Sequence, residues 1–207
     1  MIKKKLMIIG AGGFGREVYA IIDKNVYDCI GYLDINSRVK NLPAPLLGDE
    51  SSIKELVLEN QVENFFIAIG NIKKRKDIYE KICGYNLSSP IFNCSLDTCY
   101  SDIIGHGSII YPGCIIMTDC SIGNSSILNT GVTLGHDVTI GNYCNVGPGV
   151  NIAGNVSIGD NSLIGIGSNI KENIKIGKKS IIAAGSVVIE DVPDETTVYG
   201  IPAKPKQ

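Results

Sequence analysis

Residues 122–159 read IGNSSILNTGVTLGHDVTIGNYCNVGPGVNIAGNVSIG, and in this stretch an aliphatic residue returns at every sixth position. Traced outward, the register runs without a miss through Ile104, Ile110, Ile116, Ile122, Leu128, Leu134, Ile140, Val146, Ile152, Ile158, Ile164, Ile170, Ile176, Ile182 and Val188, fifteen hexads in all. Four residues after each stands a small or aliphatic residue, among them Ser108, Cys114, Cys120, Val132, Cys144, Ser168 and Val192. Gly follows the aliphatic residue in eight hexads. A period of six fits neither the helical repeat of 3.6 nor plain alternation, and it is a signature of a parallel β-helix. Each hexad then supplies one short strand and a corner. Three strands per turn make five coils of these fifteen hexads, with the aliphatic and small positions inside and Gly or Asn relaxing the corners.

Composition agrees with repetitive β structure. The 207 residues hold 24 glycines and no Trp, and aromatic residues make up only 6%. Charge is nearly balanced, 19 Lys and Arg against 21 Asp and Glu, so the basic footprint of a nucleic-acid-binding protein is missing. Only 10 of these 40 charges lie between Ile104 and Pro193, which separates the chain into two architectures. No apolar run reaches the ~18 residues a membrane span needs. Lys3 to Lys5 followed by Leu6 to Gly13 imitates a secretory leader, but Arg16 and Glu17 follow at once without a cleavage signal, so the cytoplasm is the expected location.

The first hundred residues alternate differently. Lys5 to Ile9 reads as a strand, Gly10 to Gly15 as a glycine turn, and Phe14 to Asp23 as a helix with Phe14, Val18, Ile21 and Ile22 on one face. Cys29 to Leu33 is a second strand. Ser52 with Glu55 three residues on is a capping-box signal for a second helix. Asn64 to Ile69 is a third strand, followed by a helix carrying Ile72, Ile78, Tyr79 and Ile82. Alternating strand and helix predicts a small parallel α/β domain over residues 1–90, ahead of a β-helix domain over 91–207, with residues 90–103 joining them.

Gly10, Gly12 and Gly15 satisfy G-x-G-x-x-G between a strand and a helix, and Asp34 ends the next strand nineteen residues after Gly15. Such a turn offers N–H groups and a helix N-terminus to a phosphate, while the acid can accept a ribose hydroxyl. About 85 residues are too few for both halves of a dinucleotide fold, so a mononucleotide or nucleotide sugar fits better. Glycines that merely permit tight strand–helix packing are the competing explanation.

The seven cysteines form no C-x-x-C pair, and there are two histidines, so neither redox nor zinc chemistry is indicated. Cys114, Cys120 and Cys144 fall at the inward small position. His136 instead lies at a corner, in Leu134-Gly135-His136-Asp137-Val138. Asp137 is one of three carboxylates between Ile104 and Ile170. An imidazole beside a carboxylate suits a general base, but adjacency alone is a weak signal against the competing reading of a solvated corner. His106 has no adjacent acid and reads as such a corner.

The whole chain resembles bacterial nucleotide-amino-sugar acetyltransferases of the bacillosamine N-acetyltransferase and sialic acid O-acetyltransferase type. The resemblance rests on Ile9-Gly10-Ala11-Gly12-Gly13-Phe14-Gly15, Tyr32-Leu33-Asp34, Ile67-Ala68-Ile69-Gly70-Asn71, Asn129-Thr130, His136-Asp137, Ala153-Gly154-Asn155-Val156 and the closing Gly200-Ile201-Pro202-Ala203-Lys204. It implies a small Rossmann-like N-terminal domain followed by a left-handed parallel β-helix, a homotrimer, acetyl-CoA as co-substrate and no metal. The implied reaction is direct acetyl transfer to the amino group of a UDP- or dTDP-linked 4-amino-4,6-dideoxy sugar. His136 would be the base, supported by Asp137, and the Gly154 N–H would face the acetyl carbonyl. Asn145, Ile166 and Ala184 fall at coenzyme contacts, while Gly12, Gly13, Phe14, Asp34 and Gly70 align with the nucleotide-sugar site. Phe14 stands where many members have His, and Asn145 where a relative has His. Rival readings are O-acetylation of a sialic-acid-type hydroxyl, a non-catalytic nucleotide-binding trimer, and an NAD-dependent oxidoreductase prompted by the glycine turn and Asp34.

Overall fold

The computed structural model describes residues 2–36, 39–59, 62–85, 87–94, 97–98 and 103–206. It divides into two compact units, Met1–Pro90 and Ile91–Gln207.

In the first unit, β1 (Lys4–Ile9), β2 (Tyr27–Leu33) and β3 (Asn64–Ile67) form one parallel sheet in the order β2-β1-β3. Helices α1 (Gly13–Ile21), α2 (Ile53–Leu58) and α3 (Ile72–Ile82) connect and flank these strands. Leu6–Ile9 of β1, Gly31–Leu33 of β2 and all of β3 are buried, because both faces of a parallel sheet are covered there. Met7, Ile9, Leu33, Phe65 and Ile67 meet Ile53, Leu56, Ile78 and Ile82 from α2 and α3 in one cluster. On the other face Phe14 and Tyr19 of α1 lie against Phe66 and Tyr32. The expected capping box at Ser52 is not formed. The cap is Asp49, whose Oδ1 accepts from the Ser51 N–H at 2.8 Å, so a 3-10 turn over Glu50–Ser52 precedes α2. The C-terminus of β3 falls at Ile67, two residues short of the expected Ile69.

The second unit is a left-handed β-helix of about 6 turns. Strands two residues long stack in parallel at an interval of eighteen, as in Ile127↔Asn145 and Leu128↔Val146. Three faces result. Face one carries Ile109–Ile110, Ile127–Leu128, Asn145–Val146, Leu163–Ile164 and Ile181–Ile182; face two carries Ile115–Ile116, Thr133–Leu134, Asn151–Ile152, Asn169–Ile170 and Val187–Val188. Face three carries Ile103–Ile104, Ser121–Ile122, Thr139–Ile140, Ser157–Ile158 and Lys175–Ile176. Every aliphatic hexad residue from Ile110 to Val188 is buried in a single core, with Ile104 half-buried at its edge.

Three features depart from the sequence reading. Two further strands precede Ile104 and complete its coil: Phe92–Asn93 joins face one and Asp97–Thr98 joins face two. Part of the expected joining segment therefore belongs to the β-helix, while residues 95–96 and 99–102 lie outside the described residues. Near the other end the coil shortens, so that Val192 pairs with Ile176 and Thr197 with Ile181 at an interval of sixteen. Val192 is thus buried as expected, but on face three. A final antiparallel pairing of Ala203–Pro205 with Thr197–Gly200 closes the edge of face one.

Where glycine follows the aliphatic residue, it serves close coil stacking. A Cβ on Gly123 would lie 2.6 Å from Asn142 N, and one on Gly159 2.6 Å from Lys178 N. Left-handed backbone occurs two residues later, at Asp119, Asp137, Tyr143 and Lys179 as well as at Asn155 and Asn161. The inward small position is also a donor. Ser108 Oγ donates to Gly123 O at 2.7 Å, Ser126 Oγ to Gly141 O at 2.8 Å and Cys144 Sγ to Gly159 O at 3.3 Å. Each hydroxyl or thiol reaches fifteen residues forward and satisfies a corner carbonyl of the next coil.

Candidate active site

His136 and Gly154 occupy the same corner on consecutive coils, between faces two and three. The strand Thr133–Leu134 delivers Gly135 and His136 to this corner, and Asp137 makes the turn at φ 58°. Its N–H is fixed by Thr118 O at 3.0 Å. Its carboxylate folds back so that Oδ2 lies 2.7 Å from His136 Nδ1. With Nδ1–H donating to Asp137, the lone pair remains on Nε2, the state a general base requires. Both side chains are more than half exposed.

Below the imidazole lies Gly154. An added Cβ would stand 2.6 Å from His136 Nε2 and 2.7 Å from Cε1, so the glycine makes room for the ring. Among the described residues the Gly154 N–H has no acceptor, whereas its carbonyl receives Asn173 N at 3.1 Å. At the corner between faces three and one, the equivalent N–H groups of His106, Asn124 and Asn142 are taken by Asn124, Asn142 and Asp160 side chains. The sequence reading of His106 as an exposed corner agrees with its place on that polar ladder.

Ile166 and Ala184 also stack on consecutive coils, but on the corner between faces one and two, and Ile166 is 57% exposed. Asn145 points outward from face one. Face two separates that corner from His136. Across it runs a groove lined by Ile115, Met117, Gly135 and Ala153, with Thr133, Asn151 and Asn169 along its length. The last three form a ladder, Thr133 Oγ1 to Asn151 Oδ1 at 2.8 Å and Asn151 Nδ2 to Asn169 Oδ1 at 3.0 Å.

In the first unit, the strand order places a switch point between β1 and β3, the place where open α/β sheets bind ligands beyond their strand ends. Gly10 and Gly15 are packing residues. A Cβ on Gly10 would meet Ala68 O at 2.6 Å, and one on Gly15 would run into Gly10 O. Gly12, Gly13 and Gly70 are different: nothing lies within 4 Å of an added Cβ. The packing explanation therefore accounts for Gly10 and Gly15 but not for Gly12 and Gly13, whose surroundings are open. Asp34 spans the turn, accepting Ala11 N through Oδ2 and Asn36 N through Oδ1, both at 2.8 Å. A crevice at the strand ends is lined by Gly10, Asp34, Glu50, Ile69 and Lys74; Glu50, Ile69 and Lys74 were not singled out from sequence. Phe14 is half-buried, its ring edge-on to Phe66 at 6.3 Å.

Cys114, Cys120 and Cys144 are buried in the prism, and burial pushes the Cys114 thiol up; Cys29 in the first unit is pushed up to about 11 by burial. None of these is a poised nucleophile. Among the described residues no group of three or more His, Cys, Asp or Glu could hold a metal ion, and no helix is long and apolar enough to cross a membrane.

Residues 5–82 match the PglD N-terminal domain, and residues 119–154 and 155–190 match the bacterial transferase hexapeptide (six repeats). Among solved structures, PerB from Caulobacter crescentus, in complex with CoA and GDP-perosamine, shares 30% identity at a TM-score of 0.88, over 98% of this chain and 97% of that one. The chain belongs to the bacterial nucleotide-amino-sugar acetyltransferases. A second acetyltransferase of this family, the PglB domain from Neisseria gonorrhoeae in complex with acetyl coenzyme A, is 28% identical at a TM-score of 0.88, covering 99% and 100% of the two chains. WeeI from Acinetobacter baumannii is 25% identical at 0.79, covering 99% and 100%. Among curated proteins no sequence matches.

Proposed function

We propose that this acetyltransferase moves the acetyl group of acetyl-CoA to the amino group of a nucleotide-linked amino sugar, with His136 as general base. The observation that carries the assignment of the base is the stacked corner: an imidazole oriented by Asp137 at 2.7 Å, standing over a glycine whose N–H is unengaged. Acetyl-CoA supplies a thioester carbonyl open to attack. His136 Nε2 takes the proton that the sugar amine loses as its nitrogen bonds to that carbonyl carbon. The Gly154 N–H donates to the carbonyl oxygen as it gains charge. The carbon–sulfur bond breaks, and the sulfur takes the proton held on His136, so that the coenzyme leaves as its thiol.

The first unit holds the nucleotide sugar. Gly12, Gly13 and Gly70 leave room for close approach, Phe14 offers a partly open ring, and Asp34 shapes the turn while retaining lone pairs for a hydroxyl. Asn145, Ile166 and Ala184 contact the coenzyme. Their separation from His136 by face two supports a shared site, in which the corner bearing Ile166 and Ala184 of one copy meets the His136 corner of the next. The assembly is then a homotrimer, with a solution mass three times the 22.1 kDa of the chain. The co-substrates place the reaction in the cytoplasm, where activated sugars and acetyl-CoA are made.

The test is thiol release from acetyl-CoA against a panel of UDP-, dTDP- and GDP-linked amino sugars. One member should support release with matching formation of an alkali-stable amide. An alkali-labile ester as product would favour the hydroxyl reading, and no sugar-dependent release would refute the assignment.

A further inference from the structure

The buried stripe of α3 consists of Arg75, Ile78 and Ile82. Its first position therefore carries a cation where helical periodicity calls for an aliphatic residue. Arg75 is 1% exposed and heads the fully buried side chains by volume. A guanidinium is kept out of water only where its donors find acceptors. Here Nη1 donates to Ile69 O at 2.8 Å and to Gly70 O at 3.3 Å.

Both carbonyls belong to the segment that leaves β3 at the switch point. The same segment is held from its other side by α3 itself. Asn71 Oδ1 accepts Lys74 N at 2.9 Å, and Asn71 O accepts Arg75 N at 2.9 Å. Residues 69–71 are thus pinned between the first turn of α3 and a side chain of that turn. The pinning has an electrostatic consequence. The negative ends of two peptide dipoles are directed at a buried cation, and so are withheld from the crevice that Ile69 and Lys74 line.

We propose that Arg75 is a positioning residue for the nucleotide-sugar site, acting through the Ile69 and Gly70 carbonyls to keep the β3 edge open and free of carbonyl oxygens facing a diphosphate. The inference rests on the reading that the first unit holds the nucleotide sugar. Arg75 is buried and bonded to the backbone that follows β3, so its loss should act on sugar-nucleotide affinity alone.

The experiment titrates UDP, dTDP and GDP calorimetrically into the full-length wild type, Arg75→Lys and Arg75→Gln, with KM for acetyl-CoA and thermal unfolding measured alongside. Arg75→Gln should weaken binding of the preferred nucleotide by about 10- to 100-fold, the usual worth of hydrogen bonds from a charged group. Arg75→Lys, which keeps the charge and one donor, should recover part of that loss. KM for acetyl-CoA should stay within about twofold in both variants. Unchanged nucleotide affinity in Arg75→Gln would overturn the inference. So would equal rises for nucleotide and acetyl-CoA, or failure of both variants to fold, since either would make the role structural. Absence of binding to the wild type by all three nucleotides would instead overturn the reading on which the inference rests.

Discussion

Replacing Gly154 by Ala perturbs the proposed base without touching its chemistry. The residue lies outside the left-handed backbone positions, so Ala is conformationally permitted there. The added methyl would stand 2.6 Å from His136 Nε2, 2.7 Å from Cε1 and 3.0 Å from Cδ2. Carbon contacts settle near 3.5–4.0 Å, so the ring must retreat by about 1 Å. Being largely exposed, the imidazole can yield by rotating, and the 2.7 Å contact with Asp137 is what it gives up. Folding stability should therefore change little. A displacement of about 1 Å at a reacting group costs about 10²-fold in rate, roughly 2.7 kcal/mol in barrier. The assay is kcat from thiol release at saturating substrates, with thermal unfolding as the control for fold. In a His136→Ala background the same Gly154→Ala change should cost almost nothing further, because the group it displaces is gone. A Gly154→Ala enzyme turning over within about twofold of wild type would refute the steric argument.

Two further outcomes are expected. Asp34→Ala removes the acceptor of the Ala11 N–H and should raise KM for the sugar nucleotide several-fold, leaving KM for acetyl-CoA nearly unchanged; steady-state kinetics in both substrates would show the opposite pattern if the nucleotide sat elsewhere. Cys144→Ser should leave kcat within about twofold and the melting temperature within a few degrees, because Ser126 and Ser162 already make the same forward hydrogen bond from equivalent positions; loss of turnover in a folded variant would reopen a cysteine nucleophile.

The β-helix was legible because its core demands the same two side-chain types at fixed places. Fifteen hexads from Ile104 to Val188 kept that register, and all but Ile104 are fully buried. The first two strands were not legible, since Asn93 and Thr98 stand in register with Ile110 and Ile116. Nor was the shortened coil ahead of Val192, because one spacing serves both an eighteen-residue coil and a sixteen-residue one until the partner strand is known. Glycines were located correctly but for a different reason. Their role in the eight hexads that carry them is set by the next coil's backbone, which no local pattern reports. In the α/β unit, the G-x-G-x-x-G motif marked the turn, yet only tertiary contacts separate the packing glycines Gly10 and Gly15 from the open Gly12 and Gly13. The His136–Asp137 pairing was readable from adjacency, whereas the stacking of His136 on Gly154 requires the coil length. Arg75 escaped because a charged residue in a helical stretch is ordinarily read as solvent-facing.

The measurement that bears most directly on the account is the turnover of His136→Ala at pH 7, with acetyl-CoA and the amino-sugar nucleotide both saturating. Loss of a positioned proton acceptor should lower kcat by ~10²- to 10⁴-fold while solution mass and melting temperature stay near wild type. Near-full turnover by that variant would contradict the base role and leave His136 a solvated corner of the prism.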